Sequence, residues 1–232
     1  MMANSSDEEL FRYYNERAPE YEDAYHGKFF TEVPDPTIFQ NDVNFIKELL
    51  PDYVKGKCLD IACGTGFWLP VYEKHCFHIT LIDQSGSMLA ECRKKVDRLD
   101  IGKKCAVIQE NIYDYRYAEN QYDSIIIGFL ISHMVENELN TFMDIVRKTL
   151  KPSGSFVIID NIWDYARKQL RRKNAGIIKR YLKDGREFNI YKKYFSQADL
   201  RVMAKEQDFA LSIIYWGKVF FLAAGQFKVN QA

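Results

Sequence analysis

Hydrophobic positions along the chain fall into two alternating patterns, short apolar runs and longer amphipathic stretches. The apolar runs predict five strands, at 58–62, 77–82, 105–109, 122–128 and 156–159. Apolar residues at helical spacing predict helices between them, including 88–99 and 139–150. The uninterrupted isoleucines 125–127 are typical of a strand that is buried on both faces. Strands that alternate with helices predict a parallel sheet covered by helices on both sides.

The two ends of the chain do not follow this alternation. The first 30 residues or so are rich in tyrosine and predict a helical lead-in, which the prolines of 33–36 break. Near the C-terminus, 211–216 and 219–223 have strand-like sequences, and only Gly217 and Lys218 separate them. This spacing predicts an antiparallel β-hairpin in which Gly217 supplies the positive φ.

The segment 163–194 interrupts the alternation with eleven Lys and Arg residues against three acidic ones. Its sequence predicts a basic helix, then a short extended stretch at 188–191, after which Ser196 caps a further helix. Most of these charges are expected on a solvated helix face. Arg180 and Arg186 are the candidates for a pocket, where positive charge would favour an anionic substrate such as a carboxylate or phosphate.

The chain as a whole has no net charge, because 32 Lys and Arg balance 32 Asp and Glu. This balance gives no general attraction to nucleic acid or to an anionic membrane. No apolar run approaches the ~20 residues that span a bilayer, and the N-terminus lacks the basic and apolar regions of a secretory signal. Five scattered cysteines without CxxC spacing predict reduced thiols in a cytoplasmic protein, and no pattern demands a metal.

The strongest chemical signal is the glycine pair Gly64 and Gly66, which follows the first strand and opens a helix. Glycines at such a turn let the backbone approach a ligand closely, although an ordinary strand–helix turn explains this motif alone equally well. Asp83 adds context, because it ends the second strand, where a carboxylate can accept from both hydroxyls of a ribose. A cap on the following helix is the alternative role for Asp83, and the two roles are compatible.

An ordered series of motifs resembles the class I S-adenosylmethionine-dependent methyltransferases of the small-molecule type. The matching segments are 60–66, 83–89, 110–112, 122–128 and 150–154. The resemblance implies one Rossmann-like α/β domain over 1–232, with a mostly parallel seven-stranded sheet, a C-terminal antiparallel hairpin and helices on both faces. It also implies S-adenosylmethionine as the cofactor and S-adenosylhomocysteine as its product.

The same resemblance implies a set of residues that line the cofactor. These are Asp60, Ala62, Cys63, Gly64, Gly66, Asp83, Gln84, Met88, Asn111, Ile112, Phe129, Tyr14 and Tyr21. Gly64 and Gly66 would pass under the methionine part, Asp60 would hold the loop or the amino group through water, and Gln84 with Asn111 would lie at the adenine. Ala62 stands where the family has a glycine, and Asn111 where many members have an aspartate, and both are tolerable changes.

Two segments of the chain resemble the parts that cover the pocket in small-molecule methyltransferases. Residues 1–36 match a mobile helical lid, and 163–194 match a substrate cap. Tyr14 and Tyr21 share one helical face if the helix continues through Pro19. A tyrosine hydroxyl bound to the cofactor's carboxylate and a helix simply packed on the sheet with tyrosines at its rim are equally supported interpretations.

His133 is the candidate catalytic residue, because it follows the fourth strand on the side where ligands bind in such sheets. At neutral pH a histidine there can take a proton from a hydroxyl or an ammonium group. The more ordinary interpretation is that His133 orients the loop or forms part of the pocket wall.

The sequence as a whole predicts methyl transfer to an oxygen or nitrogen of a small metabolite, with an anionic metabolite as one option, and no membrane partner. The segment 128–131 lacks the Pro-Pro-aromatic pattern of enzymes that methylate exocyclic base nitrogens in nucleic acid or glutamine amides, which argues against both of these acceptors and makes a nucleic-acid partner unexpected. RNA or protein methylation through the basic insertion, and a non-catalytic cofactor-binding protein, remain alternatives. A nicotinamide dehydrogenase would need a third glycine where Pro70 stands. The sequence leaves the oligomeric state undetermined.

Overall fold

A computed structural model of the chain describes residues 5–28, 35–163 and 172–228, with side chains from Glu8 onward. Its helices are α1 (Ser5–Arg17), α2 (Thr37–Leu49), α3 (Leu69–Tyr72), α4 (Gly86–Arg98), α5 (Glu136–Thr149) and α6 (Gln197–Glu206). Its strands are β1 (Gly56–Ile61), β2 (Cys76–Asp83), β3 (Cys105–Gln109), β4 (Tyr122–Gly128), β5 (Leu150–Asn161), β6 (Ala175–Tyr181), β7 (Glu187–Lys193), β8 (Phe209–Trp216) and β9 (Phe220–Phe227).

Seven strands form one sheet in the order β3-β2-β1-β4-β5-β9-β8. Strands β1 to β5 are parallel, whereas β9 runs antiparallel to both β5 and β8. This topology confirms the predicted fold class. The strand order reverses direction between β1 and β4, so a crevice opens at the carboxyl ends of these two strands, where ligands bind in sheets of this kind.

The sheet has a core on each face, because successive strand residues point to opposite sides. In β1, Cys58 belongs to the core on one face and Leu59 to the core on the other, and both side chains are fully buried. Ile46 of α2 and Leu89 of α4 cover the first face, and Phe142 of α5 covers the second. This double burial explains the uninterrupted isoleucines 125–127 of β4.

The lead-in is helical as predicted, but it is not one continuous α-helix. A 3-10 helix, Ala18–His26, takes over from α1 at Pro19, and Gly27 ends it with a left-handed φ of 69°. Proline has no N–H to donate and interrupts α-helical hydrogen bonding. Tyr14 and Tyr21 nevertheless lie side by side, with their ring centroids 5.9 Å apart.

The insertion forms a β-hairpin where it is described, with β6 paired antiparallel to β7. The prediction of a basic helix is wrong for Lys179 and Arg180, which lie in β6, and the part of that helix within 164–171 falls outside the described residues. Phe188 alternates with polar neighbours in β7 and is buried against Tyr13 of α1 at a ring distance of 5.3 Å. Burial of this alternating face favours strand pairing over the helix.

The turn between β8 and β9 differs from its predicted form. Three residues, 217–219, join the strands, and φ of Gly217 is not positive. Glycine is required for space instead, because a Cβ at this position would overlap the Asp42 carboxylate. That buried carboxylate accepts hydrogen bonds from the backbone N–H of Val219 at 2.7 Å and of Phe220 at 2.9 Å, so α2 anchors the hairpin.

Over residues 5–28, 35–163 and 172–228, no helix has both the length and the apolar character that a bilayer-spanning segment needs.

Candidate functional site

The loop after β1 carries three left-handed residues, which curl the backbone at the carboxyl edge of the sheet. Ala62, Gly64 and Gly66 have φ angles of 56°, 55° and 68°. A Cβ on Gly66 would come within 2.8 Å of Cys92 Sγ, whereas Gly64 faces a space bordered by Tyr21. Gly66 is therefore needed for packing and Gly64 for its backbone angle. Ala62 takes a conformation that L-residues rarely adopt, so it is a strained substitute for the motif glycine.

Asp83 ends β2, and its two carboxylate oxygens join this loop to the start of α4. Oδ2 accepts from the Gly64 N–H at 2.9 Å, and Oδ1 accepts from the Ser85 N–H at 2.8 Å. Burial raises the pKa of Asp83 to about 6, although these two hydrogen bonds oppose the shift. The alternative role as a helix cap is wrong, because the Ser85 hydroxyl caps α4 by accepting from the Met88 N–H.

Asp60 lies beneath the same loop but contacts the next helix rather than the loop itself. Its Oδ2 accepts from the Tyr72 hydroxyl at 2.8 Å, and burial raises its pKa to about 7. The side chain of Cys63, the neighbouring loop residue, is partly buried against the core.

The residues predicted for the adenine end come from two neighbouring strand ends. The Asn111 side-chain amide donates to Gln84 Oε1 at 3.4 Å, which brings the ends of β2 and β3 together. Met88 is buried in α4 with its sulfur near Gly64, and Ile112 packs partly buried against the core. The loop residues and the adenine-end residues thus border one side of the crevice.

On the other side of the crevice, α1 is tied to the sheet by a hydrogen bond between the Tyr14 hydroxyl and His133 Nε2, 2.7 Å long. His133 Nδ1 lies 2.8 Å from the Tyr191 carbonyl oxygen, which can only accept, so Nδ1 carries the proton. Burial first, then the positive charge of Lys192, lowers the pKa of His133 well below its usual 6.5. A neutral His133 accepts from Tyr14 at Nε2, and this occupied nitrogen is a weak base.

Asn15, beside Tyr14, is a contact residue that no sequence motif indicates. Its side-chain oxygen accepts from the Ser85 hydroxyl at 2.8 Å, which ties α1 to the start of α4. Single polar residues are common in helices, so no local signal distinguished Asn15.

Two cationic side chains from the β6–β7 hairpin reach the crevice. Arg180 donates to the Tyr194 hydroxyl at 3.1 Å. Lys192 is buried, donates to the Ser132 hydroxyl at 2.5 Å and lies 3.4 Å from Asp160. Asp160 nearly ends β5 as Asp83 ends β2, and that parallel is a sequence signal that could have identified it.

The cleft between α1, the hairpin and the ends of β4 and β5 is narrow and mixed in character. Its lining residues are Tyr14, Arg17, Tyr21, Ala24, Tyr25, Phe129, His133, Asn161, Arg180, Ile190, Lys192 and Phe220. The structure therefore brings Tyr14, Tyr21, Phe129, His133 and Arg180 together, as the sequence predicted.

Arg186 does not belong to this cleft, and its assignment to a substrate site is corrected. Its side chain is 53% exposed and pairs with Asp184 and with Glu16 of α1. The two arginines flank the same turn, but β6 directs Arg180 to the cleft while the turn directs Arg186 to solvent and to α1.

The chain is similar in sequence to known methyltransferases. Residues 58–154 match the family model for a methyltransferase domain. The chain is 27% identical to a phosphatidylethanolamine N-methyltransferase of Cereibacter sphaeroides over 46% of this chain and 51% of that protein. It is 25% identical to a ubiquinone/menaquinone biosynthesis C-methyltransferase of Brucella canis over 44% and 38%. The matched region thus spans about half or less of these relatives.

Among solved structures, a DhpI–SAH complex superposes with a TM-score of 0.77 and 22% identity, covering 99% of this chain and 100% of that one. The likeness therefore extends beyond the matched domain to α1 and the β6–β7 hairpin. Residues 58–154 match a methyltransferase domain, and the whole chain has the fold of the class I S-adenosylmethionine-dependent methyltransferases.

Proposed function

We propose that the chain transfers the methyl group of S-adenosylmethionine to an oxygen or nitrogen atom of a small molecule, with S-adenosylhomocysteine as the other product. The observation that carries this proposal is the pairing of two half-sites across one crevice. Gly64 and Asp83 form the half over β1 and β2, and His133, Arg180 and Lys192 form the half over β4 and β5.

The residues over β1 and β2 fit a nucleoside with a charged amino-acid tail. Asp83 offers carboxylate oxygens to ribose hydroxyls, and the missing side chain of Gly64 leaves space between Tyr21 and Met88. Trp68 adds a buried indole N–H that has no hydrogen-bond partner among the described residues, and it lies beside Gly128 at the end of β4. A donor buried in this way favours an acceptor from a ligand, because leaving it unpaired is costly.

When bound, S-adenosylmethionine supplies a methyl group that is already electrophilic, so the protein has to align the acceptor and exclude water. The aromatic residues of the cleft suit that task, since Phe129 lies against Tyr25 and Phe220 with ring centroids 5.4 and 5.0 Å away. Residues 1–36 would act as a lid and 163–194 as a cap over this cleft. The Tyr14–His133 hydrogen bond would hold the lid closed.

A small acceptor is favoured over RNA or protein because α1 covers the cleft and leaves it narrow. Several of the insertion's basic residues are engaged elsewhere, such as Lys179 with Glu187 and Lys183 with Asp23. The five cysteines lack disulfides, which supports our further proposal of a cytoplasmic location.

The experiment that tests this function is transfer of a labelled methyl group from S-adenosylmethionine to a metabolite extract, with tRNA and bulk protein in parallel. We expect label in the small-molecule fraction that depends on Asp83. Label in RNA or protein alone would contradict the small-molecule proposal, and no transfer to any fraction would support a non-catalytic role.

A further inference from the structure

The half of the cleft over β4 and β5 is cationic. Arg17 of α1, Arg180 of β6 and Lys192 of β7 all line it, and no described Asp or Glu does. All three line the same cleft as His133, whose pKa is lowered by burial and, in addition, by each of these charges. Three cations around one cleft attract an anion and repel an ammonium group.

Lys192 is buried and held by specific partners rather than exposed to solvent. Its side chain is 6% exposed, and its ammonium donates to Ser132 and pairs with the fully buried Asp160. Asp160 also accepts from the Ser132 backbone N–H at 3.1 Å, which fixes the carboxylate in place. Keeping a lysine buried is costly unless it is paired. Burial lowers the pKa of Lys192, whereas the pairing with Asp160 favours its charged form and balances part of that charge. The pair therefore holds an ammonium group in a fixed place beside the cleft.

The cationic half lies across the crevice from the residues that suit the methyl donor. Gly64, Met88 and Asp83 belong to the ends of β1 and β2 and the start of α4. Arg180 and Lys192 belong to the hairpin above the ends of β4 and β5. This separation favours the second substrate, rather than the donor's own carboxylate, as the partner of these cations.

We propose that the acceptor is a small oxyanion, a carboxylate or a phosphoryl group, held by Arg180 and Lys192 with Arg17 closing over it from α1. The proposal rests on the methyl-transfer function and names the chemical class of its acceptor. Arginine suits this task because its planar guanidinium can bind two oxygens of one group at once.

An ionised oxygen needs no base. It forms the new C–O bond as the S–C bond of the donor breaks, and the negative charge of the acceptor and the positive charge of the sulfonium disappear together. No proton leaves. This balance agrees with His133, whose Nε2 is occupied by the Tyr14 hydroxyl. Its role is then to position Tyr14 and the lid, not to remove a proton.

The test begins with calorimetry on the full chain at low ionic strength, with and without saturating S-adenosylhomocysteine. Sodium phosphate, sodium acetate and ethanolamine hydrochloride are the probes. We expect an anion to bind and the ethanolammonium ion not to bind. Tighter binding of phosphate would indicate a phosphoryl acceptor, and tighter binding of acetate would indicate a carboxylate acceptor.

Arg180→Gln should weaken anion binding by roughly tenfold or more, because it removes a charge-assisted hydrogen bond. Lys179→Gln is the matched control, since Lys179 is the neighbouring residue of β6, exposed and paired with Glu187. The control should bind the anion as the wild type does.

Three results would overturn the proposal. These are binding of neither anion, equal anion binding by Arg180→Gln and wild type, or a loss in Arg180→Gln of S-adenosylhomocysteine affinity with anion affinity intact. The last result would assign the cation to the donor. A different result would contradict the proposed function itself: the wild type would fail to bind S-adenosylhomocysteine.

Once an acceptor is identified, proton release in weak buffer provides a second measurement. At a pH of about 8, roughly two units above the second pKa of a phosphoryl group, an oxyanion acceptor gives no proton per methyl group transferred, whereas a hydroxyl or ammonium acceptor gives one. One proton per turnover would overturn the proposal.

Discussion

At the scale of single residues, two features of the glycine loop govern the cofactor half of the cleft. Ala62 sits in a left-handed conformation in which its methyl group is strained. Asp83 is a buried carboxylate that ties the loop to β2, and its pKa is raised to about 6. The strain at Ala62 affects the free energy of unfolding, and the raised pKa of Asp83 affects how cofactor affinity depends on pH.

Ala62→Gly should raise the free energy of unfolding by about 0.5–1 kcal/mol. Glycine relieves a left-handed strain of about 1–2 kcal/mol, and its greater unfolded-state entropy takes back about 0.5–1 kcal/mol. Denaturant unfolding measures the change. Ala106→Gly, in the extended strand β3, is the control and should be destabilised by about 0.5–1 kcal/mol. Destabilisation of both variants alike would show that Ala62 is not strained.

Affinity for S-adenosylhomocysteine should fall as the pH is lowered through about 6, by up to about tenfold for each further unit. The ionised Asp83 carboxylate accepts hydrogen bonds from ribose, and protonation removes part of that capacity. Calorimetry between pH 8 and 5 measures the profile. Asp83→Asn should bind more weakly and lose the dependence near pH 6, and an unchanged profile in that variant would refute the assignment.

The free energy of unfolding should change with pH in the opposite direction to cofactor affinity, because two buried carboxyl groups favour the folded state when they are protonated. Asp60 and Asp83 have folded-state pKa values of about 7 and 6, above the 3.8 of an ordinary Asp. Their contribution to the free energy of unfolding is therefore complete below about pH 4 and is lost as the pH rises through 6 to 7.

At the scale of secondary-structure elements, the site depends on contacts between elements that are far apart in sequence. Asp42 of α2 receives backbone donors of the C-terminal hairpin. Tyr14 of α1 reaches His133 after β4, and Asn15 reaches Ser85 before α4. These contacts position the lid and the last two strands.

Gly217→Ala should destabilise the protein by about 1–3 kcal/mol, because the added methyl group overlaps the Asp42 carboxylate and strains the hydrogen bonds it accepts. Thermal unfolding with a denaturant series measures the loss. Gly102→Ala is the control, since a Cβ there meets nothing within 4 Å, and it should change stability by no more than about 0.5 kcal/mol. Equal effects at both positions would contradict the anchoring role of Asp42.

Tyr14→Phe should loosen the lid, because it removes the hydrogen bond to His133 and leaves a buried nitrogen without its donor. Amide hydrogen exchange in α1 should accelerate by up to about tenfold, which corresponds to about 1 kcal/mol of local stability. Tyr181→Phe, on an exposed part of β6, is the control. Unchanged exchange in Tyr14→Phe would mean that the hydrogen bond does not hold α1.

At the scale of the whole molecule, periodicity and motif order were enough to predict the sheet and the cofactor half of the cleft. The apolar runs of β1, β2 and β4 and the terminal hairpin are local signals, so they were readable from the sequence. The Asp42 contact with Val219 and the Lys192 contact with Asp160 are not local, since they join residues 177 and 32 positions apart. The form of the β8–β9 turn and the strands of the insertion were mispredicted for that reason.

The cationic half of the cleft also depends on contacts that the sequence pattern does not contain. The excess of basic residues located it in the insertion, but only the pairing of β6 with β7 separates Arg180 from Arg186. Which of two neighbouring charges faces a ligand depends on the tertiary position of its strand, and composition carries no such information.

Calorimetry of the full chain with S-adenosylmethionine, S-adenosylhomocysteine and NAD tests directly whether the glycine loop and Asp83 form a methyl-donor site. We expect the first two compounds to bind with one molecule per chain, and we expect NAD not to bind. Asp83→Ala should weaken binding of both by about 1.5–3 kcal/mol, or roughly 10- to 150-fold, while the exposed control Asp97→Ala should match the wild type. Binding of NAD without the two sulfur compounds, or wild-type affinity in Asp83→Ala, would contradict this site assignment.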